Sequence, residues 1–436
     1  MPHTKKAVLM LASVASMIDQ FNMPNIRLLQ EMGYEVHTAC NFLEGNTCDA
    51  RRLKKLKETL DAAGVVWHQW DCPRDIASIK KCWKAYMQLL RLFEKYAFAW
   101  IHCHSPIGGA LARMAAGPRG IRVIYTAHGF HFYRGAPLRS WLLYYPAEKL
   151  LAHWTDVLLT VNREDYRLAR RRLKAGAVYH IPGVGIDVER FSVPEQCGQP
   201  KRKDARFLKE FDLPKDAVVL LSVGELNRGK NHRVVLAALA ELAKTPALDA
   251  GDVYYLICGQ GPLRDELLLE SDRLGIRRYV RMPGYQEDMA WIYQNADIFV
   301  FPSLREGMPV ALLEAMAAGL PCVVSDIRGN RELIGRTERF SKKRLEKKRL
   351  EICRGIAWMQ KCFGKRNLPE TLECPEELTD ILKRMLADDG YRQACGSLNR
   401  EHVKKYALAA VRKRMKRIYE REEACACGCQ ETDEND

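Results

Sequence analysis

The segment that most constrains the fold is a short apolar run followed by a helix with clear ends. The run Asp297–Phe301 has the length and composition of a strand buried in a parallel sheet. Pro309 suits the first turn of a helix, where its missing N–H has no cost, and Gly319 with Pro321 ends that helix. The sequence therefore predicts a strand, a loop and a helix.

Acidic residues flank the start of this predicted helix. A helix N-terminus offers free N–H groups and partial positive charge, which suits a phosphate, and Gly307 lets a ligand approach the backbone. Glu306 precedes the helix, and Glu314 lies roughly 7–8 Å further along its axis. Carboxylates that accept from hydroxyls beside a phosphate site indicate a sugar nucleotide. From spacing alone, an amphipathic helix with two solvated acids is an equally good interpretation.

Length and charge set the broad class. A chain of 436 residues is long enough for two domains with full cores. The net charge of +15, concentrated in residues 1–200, indicates an anionic partner. That partner is a phosphorylated substrate or an acidic membrane surface. Nucleic acid is the competing explanation, but we find no helix-turn-helix, zinc-finger or aromatic RNA-binding signature.

Targeting and cysteine patterns predict a cytoplasmic protein. No signal peptide is evident near the N-terminus, and no apolar run reaches the roughly 18 residues needed to span a bilayer. Most of the fifteen cysteines are scattered singly in apolar segments, as expected of reduced core thiols. Cys425, Cys427 and Cys429 lie in a tail whose default expectation is disorder, with weak metal binding as the alternative.

Histidines follow two strands of the N-terminal half. Lys6–Val14, a helix over 19–33 and Tyr34–Cys40 predict a βαβ unit, and the turn over 13–22 lacks the glycines of a dinucleotide site. His104, His128 and His131 all fall where strands end, and ligands of open parallel sheets bind at such ends. We expect His128 to bond a sugar hydroxyl, with a metal site as the alternative.

The segment from Phe301 to Asp326 resembles the signature of the retaining family-four glycosyltransferases. Their motif is a Glu, seven residues and a second Glu, which Glu306 and Glu314 match. The resemblance implies that Glu306 contacts the donor sugar and Glu314 the ribose of the nucleotide. The run Ala127–Tyr133 is similar to the bacterial capsule and exopolysaccharide branch.

The resemblance implies a set of site residues. Glu306, His128 and Lys230 would be catalytic. The loop 224–231 matches the segment that holds the donor diphosphate, with Lys230 in place, but Glu225 stands where relatives carry Arg, so Arg228 is the candidate replacement. The implied donor-binding residues are Gly224, Arg228, Lys230, Tyr285, Glu306, Gly307, Met308, Pro309, Val310 and Glu314. The implied acceptor-side residues are His131, Tyr133 and Arg134.

The resemblance also implies the architecture, an α/β protein of the GT-B type with two Rossmann-like domains facing a central cleft. We expect an acceptor-binding domain over 1–195 and a nucleotide-sugar-binding domain over 205–405. A helix over 406–423 would return to the first domain, and 424–436 would be a disordered tail.

The implied reaction is retaining transfer of a hexosyl or N-acetylhexosaminyl group from a nucleoside-diphosphate sugar, with UDP as the usual carrier. The acceptor would be a hydroxyl of a lipid-linked saccharide in capsule or exopolysaccharide biosynthesis. No Asp-x-Asp motif is present, so we expect neither a metal nor another cofactor. The alternatives are a sugar-nucleotide epimerase of the same fold and a non-catalytic nucleotide-sugar-binding protein.

Two basic segments leave a choice open. Lys80–Arg91 predicts a basic amphipathic helix, and residues 336–366 predict a solvated basic helix. Packing of one helix face on the sheet is the simpler interpretation of the first segment. The more specific interpretation of both segments is contact with an anionic membrane. Such contact would make the protein peripheral on the inner face of the cell membrane.

Overall fold

The computed structural model describes residues 5–46, 50–75, 78–192, 203–244, 253–334, 356–359 and 375–426. The chain divides into two compact units, Met1–Gly185 with Leu408–Asp436, and Ile186–Ala407. Each unit contains one sheet whose strand pairs are all parallel. The predicted class, two Rossmann-like α/β domains, is therefore confirmed.

The first unit holds a seven-stranded sheet in the order β3-β2-β1-β4-β5-β6-β7. Its strands are β1 (Ala7–Val14), β2 (Glu35–Asn41), β3 (Val66–Gln69), β4 (Phe98–His104), β5 (Arg122–Ala127), β6 (Val157–Thr160) and β7 (Ala177–His180). Its first helices are α1 (Ala15–Met17), α2 (Met23–Glu31), α3 (Ala50–Ala62), α4 (Ile79–Lys95), α5 (Pro106–Ala116), α6 (Leu138–Leu151) and α7 (Arg163–Arg172). Strands such as β1 and β4 are buried nearly throughout because helices cover both faces of the sheet.

The second unit holds a six-stranded sheet in the order β10-β9-β8-β11-β12-β13. Its strands are β8 (Val218–Val223), β9 (Val253–Cys258), β10 (Val280–Gly284), β11 (Ile298–Phe301), β12 (Cys322–Ser325) and β13 (Ile356–Met359). Its helices are α8 (Val188–Phe191), α9 (Ala205–Glu210), α10 (His232–Ala243), α11 (Arg264–Arg273), α12 (Met289–Asn295), α13 (Val310–Ala317), α14 (Arg328–Ile334), α15 (Pro375–Ala387) and α16 (Asp389–Val403). Buried clusters lie on both faces of this sheet.

The last helix, α17 (Leu408–Ala426), packs in the first unit. Tyr419 is buried, stacks on Trp100 with ring centroids 5.2 Å apart, and lies 2.9 Å from His102 Nδ1 through its hydroxyl. Glu422 pairs with Arg122 at 2.6 Å. The first unit is thus completed by residues from the far end of the chain.

The division between the units differs from the predicted boundary. The first unit ends at Gly185 rather than at residue 195, because Ile186 pairs with Ala407 and Phe191 packs in the core of the second unit. Residues 424–426 continue α17, whereas the rest of the predicted tail lies outside the described residues.

Two local predictions were wrong. The turn predicted over 13–22, ahead of a helix from residue 19, is mostly helical, because β1 runs to Val14 and the chain enters α1 directly at Ala15 and continues through a π-helical turn, Ile18–Asn22. The wide turn fits Pro24, which lacks the N–H of a regular helical bond. Within the predicted basic helix 336–366, residues Ile356–Met359 form β13, and the other residues lie outside the described ranges.

Candidate active site

In both sheets the predicted site residues follow the carboxyl ends of strands, and some of them adjoin the point where the strand order reverses. The reversal falls between β1 and β4 in the first sheet and between β8 and β11 in the second. Helices leave such a point toward opposite faces of the sheet, which opens a crevice at the carboxyl ends of the strands. His104 ends β4, while the loop of Lys230 follows β8 and that of Glu306 follows β11.

In the second unit, Lys230 and Glu306 form an ion pair. Lys230 Nζ lies 2.6 Å from Glu306 Oε1, and both side chains are partly exposed. The ammonium group also lies 4.8 Å from the centre of the Phe301 ring, which favours a cation. A lysine and a carboxylate that are 76 positions apart in sequence are therefore brought together at the sheet edge.

Backbone contacts fix the loop that carries Lys230. Asn227 Oδ1 accepts from the Lys230 backbone N–H at 3.1 Å, and the Leu304 N–H donates to Gly229 O at 2.8 Å. Gly224 has φ 151°, and a Cβ there would lie 2.9 Å from Lys230 Cε. A side chain at Gly224 would therefore displace the lysine, so the glycine is needed for this arrangement.

The helix after Glu306 begins one residue later than predicted. Pro309 is the N-cap and α13 starts at Val310, so Pro309 does not lie within the first turn. No side chain of the described residues caps this helix. Its first N–H groups and the Lys230–Glu306 pair adjoin the same loop, 302–309, and this combination suits a phosphate with a polar group beside it.

Glu314 lies inside α13 and is coupled to Tyr293. Its Oε2 lies 3.0 Å from the Tyr293 hydroxyl, which is also 3.0 Å from Ala311 O. Burial raises the pKa of Glu314 to about 7, opposed by the Tyr293 hydrogen bond and by the charge of Arg190. The tyrosine has one proton to give. The hydroxyl can donate that proton to Glu314 Oε2, to Ala311 O, or to both oxygens in a shared hydrogen bond.

The remaining donor-side residues lie in the same unit. Arg228 is exposed in the turn before Lys230, Tyr285 follows β10, and Gly307 and Met308 precede α13. Met308 packs against the buried cluster on one face of the sheet. Glu225, which stands where relatives carry Arg, is partly buried.

In the first unit, His128 is held by a second histidine. His104 Nδ1 lies 3.1 Å from His128 Nε2, and His104 Nε2 lies 3.2 Å from Met10 Sδ. Burial lowers the pKa of His128 to about 4. Burial, with smaller contributions from His102 and His128, lowers the pKa of His104 well below its usual range. Both rings are therefore neutral near pH 7.

The predicted acceptor-side residues lie on the loop between β5 and α6. The His131 ring packs on Tyr144 with centroids 4.5 Å apart, and the Tyr133 carbonyl accepts from the Trp141 indole N–H at 3.2 Å. Arg134 is exposed, and its backbone N–H donates to Glu164 Oε1 at 3.4 Å. Helix α6 therefore shapes this loop.

Within the described part of the chain, no group of three His, Cys, Asp or Glu side chains is placed to hold a metal ion. His104 uses its nitrogens on His128 and Met10, which does not fit the alternative metal interpretation. Cys40, Cys103, Cys258 and Cys322 are buried free thiols, as the sequence predicted.

Several supporting residues were not identified from the sequence. Met10 and Tyr293 contact site residues from distant segments, Arg190 acts on Glu314 through its charge, and Phe301 lies beneath the Lys230 ammonium group, and no local pattern indicates these interactions. Asn227 could have been found, because Asn three positions before Lys230 is a usual cap for a helical turn.

Comparison with known proteins agrees with this geometry. The protein family described as "Glycosyl transferases group 1" matches residues 204–350, and the family described as "Glycosyl transferase 4-like domain" matches residues 23–208. The protein named EpsD of Bacillus subtilis, assigned as a glycosyltransferase, is 34% identical over 334 residues, which cover 76% of this chain and 81% of EpsD. The chain belongs to the group 1 glycosyltransferases.

One further relative and two solved structures are also similar to this chain. The UDP-Gal:alpha-D-GlcNAc-diphosphoundecaprenol alpha-1,3-galactosyltransferase of Escherichia coli is 28% identical over 76% of this chain and 81% of its own. The crystal structure of Anabaena HepE with UDP and glucose has a TM-score of 0.69 at 13% identity, covering 95% of this chain and 99% of HepE. WaaG, a glycosyltransferase of lipopolysaccharide biosynthesis, has a TM-score of 0.66 at 16% identity, covering 94% and 98%. At these identities the structural likeness shows a shared GT-B fold.

Proposed function

We propose that this glycosyltransferase is a retaining enzyme that uses a UDP-sugar. In this proposal it transfers a hexosyl or N-acetylhexosaminyl group to a hydroxyl of a lipid-linked saccharide in capsule or exopolysaccharide assembly. The observation that carries the proposal is the Lys230–Glu306 pair, 2.6 Å apart, beside the start of α13, which no side chain of the described residues caps. A cation and free N–H groups suit a diphosphate, and a carboxylate beside them suits sugar hydroxyls.

The chemistry assigned to these residues is stabilisation of a leaving group. The bond from the sugar C1 to the diphosphate oxygen breaks, a bond from C1 to the acceptor oxygen forms, and the acceptor hydroxyl gives its proton to the departing diphosphate. Negative charge grows on the diphosphate as it leaves, so contacts from Lys230, Arg228 and the first N–H groups of α13 strengthen in the transition state. Glu306 orients the sugar, and Glu314 accepts from the ribose. Gly224, Tyr285, Gly307 and Met308 shape the donor site around them.

His128 has a separate assignment. Its ring is partly buried and neutral near pH 7, so it can exchange a hydrogen bond with a sugar hydroxyl without adding charge. His131, Tyr133 and Arg134 lie on the same loop and are assigned to the acceptor. The names of relatives from Escherichia coli and Campylobacter jejuni both include a diphosphoundecaprenol-linked saccharide, which supports a lipid-linked acceptor.

Product analysis is the test of this function. Purified protein is incubated with UDP-sugars and a lipid-linked disaccharide, and the product is examined by mass spectrometry and by the anomeric proton coupling. We expect a product longer by one sugar, with the α-configuration of the donor kept. An inverted product would exclude retention, and an altered donor without acceptor would identify the epimerase instead.

Glu225 favours one further candidate, a non-catalytic protein that binds nucleotide sugars. An acid near the diphosphate loop weakens attraction for the donor, and Arg228, which would compensate, is exposed. A thermal-shift screen against nucleotide sugars separates binding from turnover, because a bound donor raises the melting temperature by mass action. This candidate would be favoured if nucleotide sugars stabilise the protein but the protein neither transfers the sugar nor slowly hydrolyses the donor.

We expect transfer to need no metal ion or other cofactor, since the sequence has no Asp-x-Asp motif. The check is the transfer rate after dialysis against EDTA, with and without added Mg²⁺ or Mn²⁺. Helices within the described residues are too short or too polar to cross a membrane. We place the enzyme at the cytoplasmic surface of the cell membrane, because a lipid-linked acceptor resides there.

A further inference from the structure

Helix α6 exposes an unusual amount of apolar surface. Leu138, Leu142, Leu143 and Leu150 are 73%, 70%, 57% and 61% exposed. Leu138 and Leu142 are one helical turn apart and Leu150 lies two turns further on, so these three side chains project from one side of the helix. Single exposed leucines are ordinary in soluble proteins, but four on one helix mark an interaction site.

The exposed face of α6 is also positively charged. Arg139 and Lys149 are exposed and have no ion-pair partner among the described residues. The one carboxylate in the helix, Glu148, is buried and turned inward. A ligand that covers this face therefore has to be apolar in part and negatively charged in part.

A buried ion pair keeps the leucines outside. Arg113 of α5 donates to both Glu148 oxygens, at 2.8 and 3.1 Å, and its Nε donates to Gly109 O at 2.9 Å. The guanidinium also lies 3.9 Å from the centre of the Tyr125 ring. Rotating α6 to bury its leucines would break this pair and leave Arg113 as an unpaired buried charge.

The opposite face of α6 holds the predicted acceptor loop. Trp141 donates to the Tyr133 carbonyl, Tyr144 packs on His131, and Phe132 lies against Trp141 and Tyr145. One helix therefore presents leucines outward and holds the acceptor-side residues inward. Whatever covers the leucines lies within a helix width of His131 and Tyr133.

We propose that the exposed face of α6 docks the enzyme onto a membrane surface that carries anionic lipid. Leucines enter the boundary between headgroups and acyl chains, and Arg139 and Lys149 contact the headgroup phosphates. A second copy of the chain fits less well, since a two-fold contact would set the same cations against each other. Ile79, Lys80 and Trp83 are also exposed, at the start of α4, which packs against α5.

The proposal rests on the proposed function only in the choice of a lipid-linked acceptor, and the test separates the two. The full chain is sedimented, without substrate, with phosphatidylcholine vesicles that contain or lack phosphatidylglycerol. We expect wild-type protein to bind the anionic vesicles. The variant Leu142→Gln/Leu143→Gln should bind at least about tenfold less. Leu269→Gln, at a 58% exposed leucine of α11 in the other unit, is the matched control and should bind as wild type.

Charge and self-association are tested separately. Arg139→Gln/Lys149→Gln should lose binding to anionic vesicles and keep any weak binding to neutral ones. Wild-type protein that stays in solution with both vesicle types overturns the proposal. So does equal binding by the leucine variant, or a dimer in light scattering that the leucine variant converts to monomer.

Transfer rates distinguish a role of the leucines in membrane docking from a role in holding the acceptor loop. The leucine variant should transfer to a water-soluble acceptor at the wild-type rate, and should lose rate with a lipid-linked acceptor in vesicles. Equal loss with both acceptors would show that α6 serves the acceptor loop alone and would overturn the docking role. If wild-type protein binds vesicles but transfers no sugar, the proposed function is contradicted and the docking surface is still supported.

Discussion

His104 and His128 form a hydrogen bond of 3.1 Å between Nδ1 of the first and Nε2 of the second. Met10 Sδ, 3.2 Å from His104 Nε2, can only accept, so His104 carries its proton on Nε2 and accepts at Nδ1. His128 therefore donates from Nε2, and its Nδ1 keeps a lone pair. A sugar hydroxyl beside that nitrogen would act as the donor.

The first prediction concerns this proton arrangement. Long-range ¹H–¹⁵N NMR at neutral pH should show His128 protonated on Nε2 and unprotonated on Nδ1. His104→Leu removes the acceptor and should produce a mixture of both forms. Exposed His153 provides an internal reference for an imidazole outside this pair. Observation of an Nδ1 proton on His128 in the wild-type protein would contradict the arrangement.

The second prediction concerns the Lys230–Glu306 pair. Lys230→Ala and Glu306→Ala should each lower the transfer rate at least tenfold, about 1.4 kcal/mol, because each removes a contact to the donor. Lys244→Ala is the control, since Lys244 pairs with Glu241 at the end of α10, away from these loops. Near-normal turnover in either purified site variant would argue against its role.

The same pair should show coupling. The two residues contact each other at 2.6 Å, so the double variant should lose less than the sum of the single losses. A complete double-mutant cycle on kcat/KM measures that difference. Fully additive losses would mean that the two side chains act independently on the donor.

The third prediction follows from the pKa of Glu314, which burial raises from 4.5 to about 7. The folded protein then binds more protons than the unfolded chain between these values. This contribution to stability is complete below pH 4.5 and is lost as pH rises through 7. The unfolding free energy of the wild type should fall relative to Glu314→Gln by about 1–3 kcal/mol across that range. Urea titrations of both proteins at several pH values measure this difference in unfolding free energy. If the unfolding free energies of the two proteins change in parallel with pH, the raised pKa of Glu314 is excluded.

The fourth prediction concerns packing of the loops beside Lys230. Gly259 has φ 150°, and a Cβ there would lie 1.9 Å from Gly224 O, whereas Gly275 has φ 72° and open space around it. Gly275→Ala should cost about 1 kcal/mol of backbone strain. Gly259→Ala adds a clash with backbone and should cost at least about 2 kcal/mol more. Urea unfolding of both variants checks the difference, which would vanish if the loops simply moved apart.

The sequence predicts the second unit well where local signals agree. Asp297–Phe301, Pro309 and Gly319 mark the strand, the helix start and the helix end to within one or two residues. Gly319 has φ 74°, as expected of a residue that closes a helix. Buried parallel strands give continuous apolar runs, which explains why β1, β2 and β11 were predicted. The partly buried strands β3 and β7 were not predicted, and β13 lies within the segment predicted as a basic helix.

Long-range and surface features were not predictable in the same way. Helix α1 begins at Ala15 without a capping side chain among the described residues, so no local signal placed the helix start before residue 19. The leucines of α6 suggest burial by composition, whereas the Arg113–Glu148 pair and the packing of Trp141 show that another face turns inward. Tyr419 reaches His102 across 317 positions, beyond any local pattern.

The packing of α17 in the first unit has a consequence for biosynthesis. A ribosome makes residues 1–185 before the second unit. Trp100 and Arg122 therefore lack their partners, Tyr419 and Glu422, until those residues are made after the second unit. The first unit should therefore remain incomplete while the entire second unit is translated. A nascent chain stalled before Leu408 should be cleaved by protease in its N-terminal half, and release of the full chain should end that sensitivity.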